Sequence, residues 1–146
     1  MAVIIRNAGP GDEPAVVRLV REMAAGEDAV SPVDEHYVRH FLASPVSDVL
    51  LALDGDTAVG LLSYALVPGL FHAADSGLIE VLVVTEDRRG EGIGRLLLQT
   101  AVKLLEAAGC AEISVSTGAD NEVAQKLYFE VGLTEASVLL EKHTER

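Results

Sequence analysis

The chain has 146 residues, 49% of them hydrophobic and 23% charged, a balance that suits one globular domain with a proper core and excludes a disordered segment. With 11 Lys and Arg against 23 Asp and Glu the net charge is −12, which disfavours nonspecific binding to nucleic acid or to an anionic membrane surface and mildly favours cationic substrates. No apolar run reaches membrane-spanning length, the first residues lack the plan of a secretory leader, and the single Cys110 can close no internal disulfide, so a cytoplasmic protein is expected.

Val3 to Arg6 reads as a first strand and Asn7 to Gly11 as a turn. Asp12 is placed to cap a helix with Pro14 in its first turn, and Val16, Leu19, Val20 and Met23 follow at i, i+3, i+4 and i+7. After a polar loop, Ser31 and Pro32 predict the cap and first turn of a second helix through about Leu42, with Val38, Phe41 and Leu42 inward. His36 and His40 are one helical turn apart on it. With no third ligand nearby and no HExxH glutamate, they read as exposed or partly packed histidines, and no metal is expected.

Asp48 to Leu53 and Thr57 to Val67 predict two strands joined at Asp54-Gly55-Asp56 as a hairpin. Pro68 to Ser76, carrying Phe71, His72 and Asp75, is a loop that either borders an acceptor site or merely connects.

The chemistry-bearing stretch is 77–109. Leu78 to Val84 is apolar and β-branched apart from Glu80, which suits a buried strand. A polar turn leads to Arg89-Gly90-Glu91-Gly92-Ile93-Gly94, followed by Leu96, Leu97, Thr100, Ala101, Leu104 and Ala108 at helical spacing from Ile93. The glycines therefore sit at a helix N-terminus. First-turn N–H groups there have no helical partner and the dipole adds partial positive charge, so the turn is a natural cradle for an anion. Arg88, Arg89 and Arg95 add formal charge around it. Neither a Walker A loop nor a dinucleotide GxGxxG fits, because Gly94 is followed by Arg95 and Leu96 rather than by Lys-Ser/Thr or a third glycine.

Gly109 ends the long helix, Cys110 reads as a small buried residue at a strand entrance, and Glu112 to Ser116 predicts a strand paired in parallel through the crossover. Thr117 to Asn121 leads into a helix with Ala124, Leu127, Tyr128 and Val131 on one face, stopped by Gly132. Thr134 to Glu141 predicts a final strand, and Lys142 to Arg146 a polar tail.

Arg89, Gly92 and Gly94 satisfy the pattern Arg/Gln-x-x-Gly-x-Gly/Ala behind a strand ending in Val83-Val84. Asn121, Ala124 and Tyr128 satisfy Asn-x-x-Ala-x-x-x-Tyr, followed by a Gly132-Leu133 pair in which Leu133 replaces the usual Phe. With the opening IIRNAGPGDEPAVVRL, these motifs resemble the GNAT superfamily of N-acetyltransferases over essentially the whole chain. The resemblance implies one domain over residues 1–146, an α/β (α+β) fold with a mixed, mostly antiparallel sheet flanked by about four helices, and acetyl-CoA as cosubstrate. It implies that the CoA pyrophosphate follows Arg89 and rests on the amides of Gly90, Glu91, Gly92, Ile93, Gly94 and Arg95. The pantetheine would pair like an extra strand with the backbone of Leu82, Val83 and Val84. Asn121, which also suits a helix cap, would bond the pantetheine arm.

By the same resemblance Tyr128 is the general acid for the departing CoA thiolate, since a phenol of pKa about 10 is still protonated at neutral pH. Its position equally suits a core aromatic. Glu80 shares a strand face with Leu82 and Val84 if side chains alternate, and an acceptor ammonium must lose a proton before it attacks, so Glu80 is the candidate base. A relay of waters is the alternative. Backbone N–H groups would polarise the thioester carbonyl, and direct attack in a ternary complex needs no covalent intermediate. In the family the second-helix region often lines the acceptor pocket, which marks Glu35, His36, Tyr37 and His40, with Phe71, as candidate substrate contacts.

The expected function is transfer of acetyl from acetyl-CoA to a primary amine, of a small molecule rather than a peptide because the compact chain has no extra binding module. The alternatives are a non-catalytic acyl-CoA-binding regulatory module and a protein or peptide N-acetyltransferase. Family members are often dimers, so a homodimer is among the expectations.

Overall fold

The computed structural model describes residues 2–144 as β1 (Ile4–Asn7), α1 (Glu13–Gly26), α2 (Glu35–Ala43), β2 (Ser47–Asp54), β3 (Thr57–Val67), β4 (Ser76–Val84), α3 (Ile93–Ala107), β5 (Glu112–Val115) and α4 (Glu122–Glu130), with a 3-10 turn at Glu86–Arg88. The strands pair in chain order. The first four are antiparallel, and β5 joins β4 in parallel because α3 carries the chain back along the sheet. This is the expected mixed, mostly antiparallel sheet. None of the described helices is long and apolar enough to cross a membrane.

Helices cover both faces, so the central strands are apolar on both sides. On one face Val16, Val17 and Leu19 of α1 and Val38 of α2 pack with Leu51, Leu61, Val81 and Val83. On the other, Ile93, Leu97, Leu98, Ala101 and Leu105 of α3 pack with Leu50, Leu62 and Ile79, and Leu127 and Tyr128 of α4 close the same layer. Two glycines allow α3 this close. A Cβ at Gly77 would stand 2.8 Å from the Leu105 methyls, and one at Gly60 would stand 3.0 Å from Leu97.

Several expectations change in detail. Asp12 holds the N-cap position of α1 without capping it; its carboxylate turns back to the Gly9 amide at 2.7 Å and to Arg6 at 2.7 Å. The second helix starts three residues later than expected, because Asp34 rather than Ser31 accepts an N-terminal amide, that of Tyr37 at 2.8 Å. Ser31 instead bonds the Val33 amide within a local turn. The buried stripe of α3 is Ile93, Leu97, Leu98, Ala101 and Leu105, while Leu96, Leu104 and Ala108 face outward. With leucines on most sides of this helix its apolar pattern has no sharp phase, and the sheet selects the face.

The final strand does not form. Residues 134–144 carry no regular structure and all are exposed, with Val138 at 86% and Leu140 at 89%. A β-rich sequence becomes a strand only by pairing with an edge, and here the segment pairs with none. The last two residues of the tail lie outside the described residues.

Candidate active site

The site begins with a slip in the β3–β4 ladder. Ser63 pairs with Val81 but the next residue, Tyr64, pairs with Ile79, so Glu80 is an extra residue, a β-bulge. The slip changes which way the strand faces. Ile79 packs toward α3, Val81 and Val83 toward α1 and α2, and Leu82 and Val84 toward α3 again. The regular alternation is therefore interrupted at the bulge, where Glu80 is exposed between Ile79 on the α3 side and Val81 on the α1/α2 side. Pairing of β4 with β5 also ends here, at Ile79 opposite Val115. From Glu80 to Val84 the β5-side edge of β4 is open, a slot in which an extended ligand can add as a strand.

Beyond Val84 the chain enters the glycine turn. Gly90 and Gly92 have φ of +81° and +86°, a conformation that side chains rarely tolerate, and a Cβ at either would meet nothing within 4 Å. Their glycines answer to backbone shape and leave open space before the helix. Among the described residues, the six amides from Gly90 to Arg95 donate to no other protein group; the first helical bond is from Leu96 to the Gly92 carbonyl at 3.0 Å. A hollow of about 260 Å³ lined by Glu91, Gly92, Ile93, Leu96, Ala2 and Val3 lies against this turn.

The arginines around the turn are engaged with the protein. Arg88 Nη1 bonds Asp54 at 2.9 Å and its Nε meets Glu91 at 3.1 Å, which ties the turn to the β2–β3 hairpin. Arg89 Nε donates to the Val84 carbonyl at 3.0 Å, and Arg95 is bonded to Glu130 at 2.7 Å. Carboxylates thus pair with Arg88 and Arg95, while Arg89 stays largely exposed and stands 4.0 Å from Glu22. The entry is held by Glu22 of α1, whose carboxylate accepts from Thr85 Oγ1 and from the Glu86 amide, both at 3.0 Å. From the sequence alone neither Glu22 nor Ser63 stands out, and Asp54 reads only as part of the hairpin turn. Nothing local marks these contacts, since each residue acts on a segment remote in the chain.

Tyr128 reaches the same place from α4. Gly94 is flanked by Val84 and Leu127, which a Cβ there would touch at 3.7 and 3.9 Å, so the end of β4, the start of α3 and α4 converge. The Tyr128 ring is partly buried with Leu82 and Val84 on the α3 side, burial pushes its phenol pKa up, and its hydroxyl has no protein partner among the described residues. Asn121 caps α4, its side-chain oxygen accepting the Ala124 amide at 3.1 Å. Tyr128 thus lies on the α3 side of the sheet, and the open edge of β4 begins at the exposed Glu80.

The expected acceptor residues are only loosely assembled. Glu35, His36, Tyr37 and His40 are exposed on α2, with the Tyr37 and His40 rings 5.8 Å apart. Phe71 is 94% exposed on the β3–β4 loop and meets His72 edge-on at 4.9 Å. Neither group makes a hydrogen bond, ion pair or ring contact to Glu80 among the described residues. Burial and the Asp75 charge raise the Cys110 thiol pKa, the opposite of what a nucleophile needs, and no cluster of metal-ligating side chains occurs among the described residues.

Comparison with known proteins bears on this geometry. The profile described as "Acetyltransferase (GNAT) family" matches residues 15–133. An aminoalkylphosphonate N-acetyltransferase of Salmonella typhimurium is 29% identical over 128 residues, 88% of this chain and 82% of that protein. An N-alpha-acetyltransferase 30 of Schizosaccharomyces pombe is 27% identical over 108 residues, 73% of this chain and 70% of that protein. In fold, an aminoglycoside acetyltransferase from an uncultured soil metagenomic sample, solved with sisomicin, superposes with a TM-score of 0.85 at 20% identity, covering 99% of this chain and 97% of the other.

Proposed function

Because this chain belongs to the acetyltransferase (GNAT) family and is an acyltransferase, we propose that it moves an acetyl group from acetyl-CoA to a primary amine of a small molecule, by direct attack in a ternary complex. The observation that carries the proposal is the run of six unpartnered amides, Gly90 to Arg95, opening beside the unpaired edge of β4. The amides take the pyrophosphate, with the helix dipole behind them. The Leu82–Val84 edge takes the pantetheine as an added strand, and Asn121 contributes the free N–H of its carboxamide.

In that arrangement the thioester lies in the slot between Glu80 and Tyr128. Glu80 removes a proton from the acceptor ammonium, the amine attacks the carbonyl carbon, and amides of the slot hold the developing oxyanion. The carbon–sulfur bond then breaks and Tyr128 protonates the departing thiolate. A phenol whose pKa burial raises stays protonated throughout the neutral range, which suits that duty. The products are free CoA and an N-acetyl amine.

A small acceptor is favoured because the aminoalkylphosphonate enzyme matches 88% of this chain against 73% for the N-alpha-acetyltransferase. The net charge of −12 suits a cationic amine in a cytoplasmic setting. A second copy of this chain is the partner proposed, since the outer edge of β5 is open and Val138, Leu139 and Leu140 stand exposed. Light scattering giving a monomer would remove that partner and leave the chemistry intact.

The deciding experiment incubates the protein with acetyl-CoA and a panel of polyamines, aminoglycosides, aminophosphonates and N-terminal peptides, following thiol release and product mass. An acetylated small amine is expected. CoA binding by calorimetry with every amine untouched would indicate a sensing module, and acetylated peptides alone would move the substrate class to proteins.

A further inference from the structure

Ser63 is the one polar residue in the buried interior among the described residues, 5% exposed within an apolar strand. Its hydroxyl accepts the Val81 amide at 3.1 Å. That bond falls at the slip where Ser63 pairs with Val81 and Tyr64 with Ile79. An extra residue loosens main-chain pairing at a bulge, and a buried amide there is stabilised by a side-chain acceptor. The serine oxygen supplies one. An apolar residue of the kind that fills the rest of this strand interior could not.

Two features of the site coincide with this point. Pairing of β4 with β5 stops at Ile79, and Glu80 alone is exposed between the buried Ile79 and Val81. We propose that Ser63 is a positioning residue for the transfer: by holding the Val81 amide it locks the bulge that turns the Glu80 carboxylate outward and sets where the slot between β4 and β5 begins. A straightened ladder would shift Glu80 by one place and exchange the faces of the residues that follow. Its kinetic consequence rests on Glu80 acting as the base; its structural consequence does not.

The test uses Ser63→Ala, Ser63→Thr, Glu80→Gln and the Ser63→Ala/Glu80→Gln double variant of the full chain. Amide hydrogen exchange at Val81 is read by NMR, and kcat and KM with acetyl-CoA and the best amine of the panel. In Ser63→Ala the Val81 amide should exchange about tenfold faster or more, and kcat should fall about tenfold with the acetyl-CoA KM within about twofold of the parent. Ser63→Thr, which keeps the hydroxyl, should restore both. Adding Ser63→Ala to Glu80→Gln should cost less than about twofold more, because the two act through one group. Unchanged Val81 exchange in Ser63→Ala overturns the proposal, and so does a kcat loss undiminished in the Glu80→Gln background. If Glu80→Gln alone turns over like the parent, the base assignment falls, and the bulge lock then stands or falls on Val81 exchange.

Discussion

Arg95 Nη2 lies 2.7 Å from Glu130 Oε1, so the first turn of α3 is latched to the last turn of α4. The arginine that follows the glycine turn therefore answers to a protein carboxylate. If the CoA pyrophosphate is held by main-chain amides, Arg95→Ala should weaken CoA binding less than about threefold, since a surface pair of this kind contributes under about 1 kcal/mol. Gly92→Glu should abolish binding, because the side chain enters the open space before the helix and brings negative charge to it. Calorimetry with CoA compares the two, and the reverse ranking would shift the site onto the guanidinium.

Removing the phenol oxygen in Tyr128→Phe should lower kcat on the order of a hundredfold with little change in the acetyl-CoA KM. The alkaline limb gives a second check. Burial raises the Tyr128 pKa, so the acid form persists up to at least its ordinary value near 10 and is lost as pH rises through the folded value. A descending limb at neutral pH, or wild-type turnover in the phenylalanine variant, would remove Tyr128 from proton transfer.

Glu22 secures Thr85 and Glu86 at the mouth of the glycine turn, each at 3.0 Å. Glu22→Ala should raise the Kd for CoA about three- to tenfold, the cost of ordering a loosened turn, about 1 kcal/mol. The thermal midpoint should move little. An unchanged Kd would mean that the turn keeps its shape without α1.

At Asp12 the sign of a pH effect can be fixed. The Arg6 hydrogen bond, aided by the Gly9 amide, lowers the carboxyl pKa, so its contribution is present above the unfolded value near 3.9 and fades as pH falls through the folded value. Arg6 is 47% exposed, which leaves the screened ion pair itself worth less than about 1 kcal/mol. Urea unfolding of Asp12→Asn should show a loss of about 1 kcal/mol at pH 7 that shrinks as pH falls through the lowered folded pKa. A loss independent of pH would point to packing instead.

Gly77 faces Leu105 so closely that Gly77→Ala should destabilise the protein by about 1–3 kcal/mol. Shortening the opposing side chain in Gly77→Ala/Leu105→Val should recover part of that, a coupling visible in a double-mutant cycle by thermal unfolding. Strict additivity would mean that α3 shifts as a whole.

Much of this architecture was legible in the chain. The hairpin at Asp54-Gly55-Asp56, the apolar run into Val84, the glycine turn and the Asn121-to-Gly132 helix are local patterns, and each occurs within a residue or two of its expected place. The errors were of one kind. Thr134 to Glu141 has strand chemistry but pairs with no strand, and on α3 the sheet covers Leu97, Leu98 and Leu105 while Leu96 and Leu104 stay outward. Ser31 was the expected cap of the second helix, but the chain stays in a local turn there and Asp34 caps it three residues later.

By itself the sequence determined the strand-turn-helix with its glycine-rich entry and the helix that carries Tyr128, because capping, period and glycine placement act over a few residues. Tertiary structure alone decided the slip at Glu80, the serine oxygen that supports it, and the pairing of Arg88 and Arg95 with Asp54 and Glu130. Those depend on the register between strands and on partners 18 to 35 positions apart, which are selected by how two faces of a sheet are filled at once.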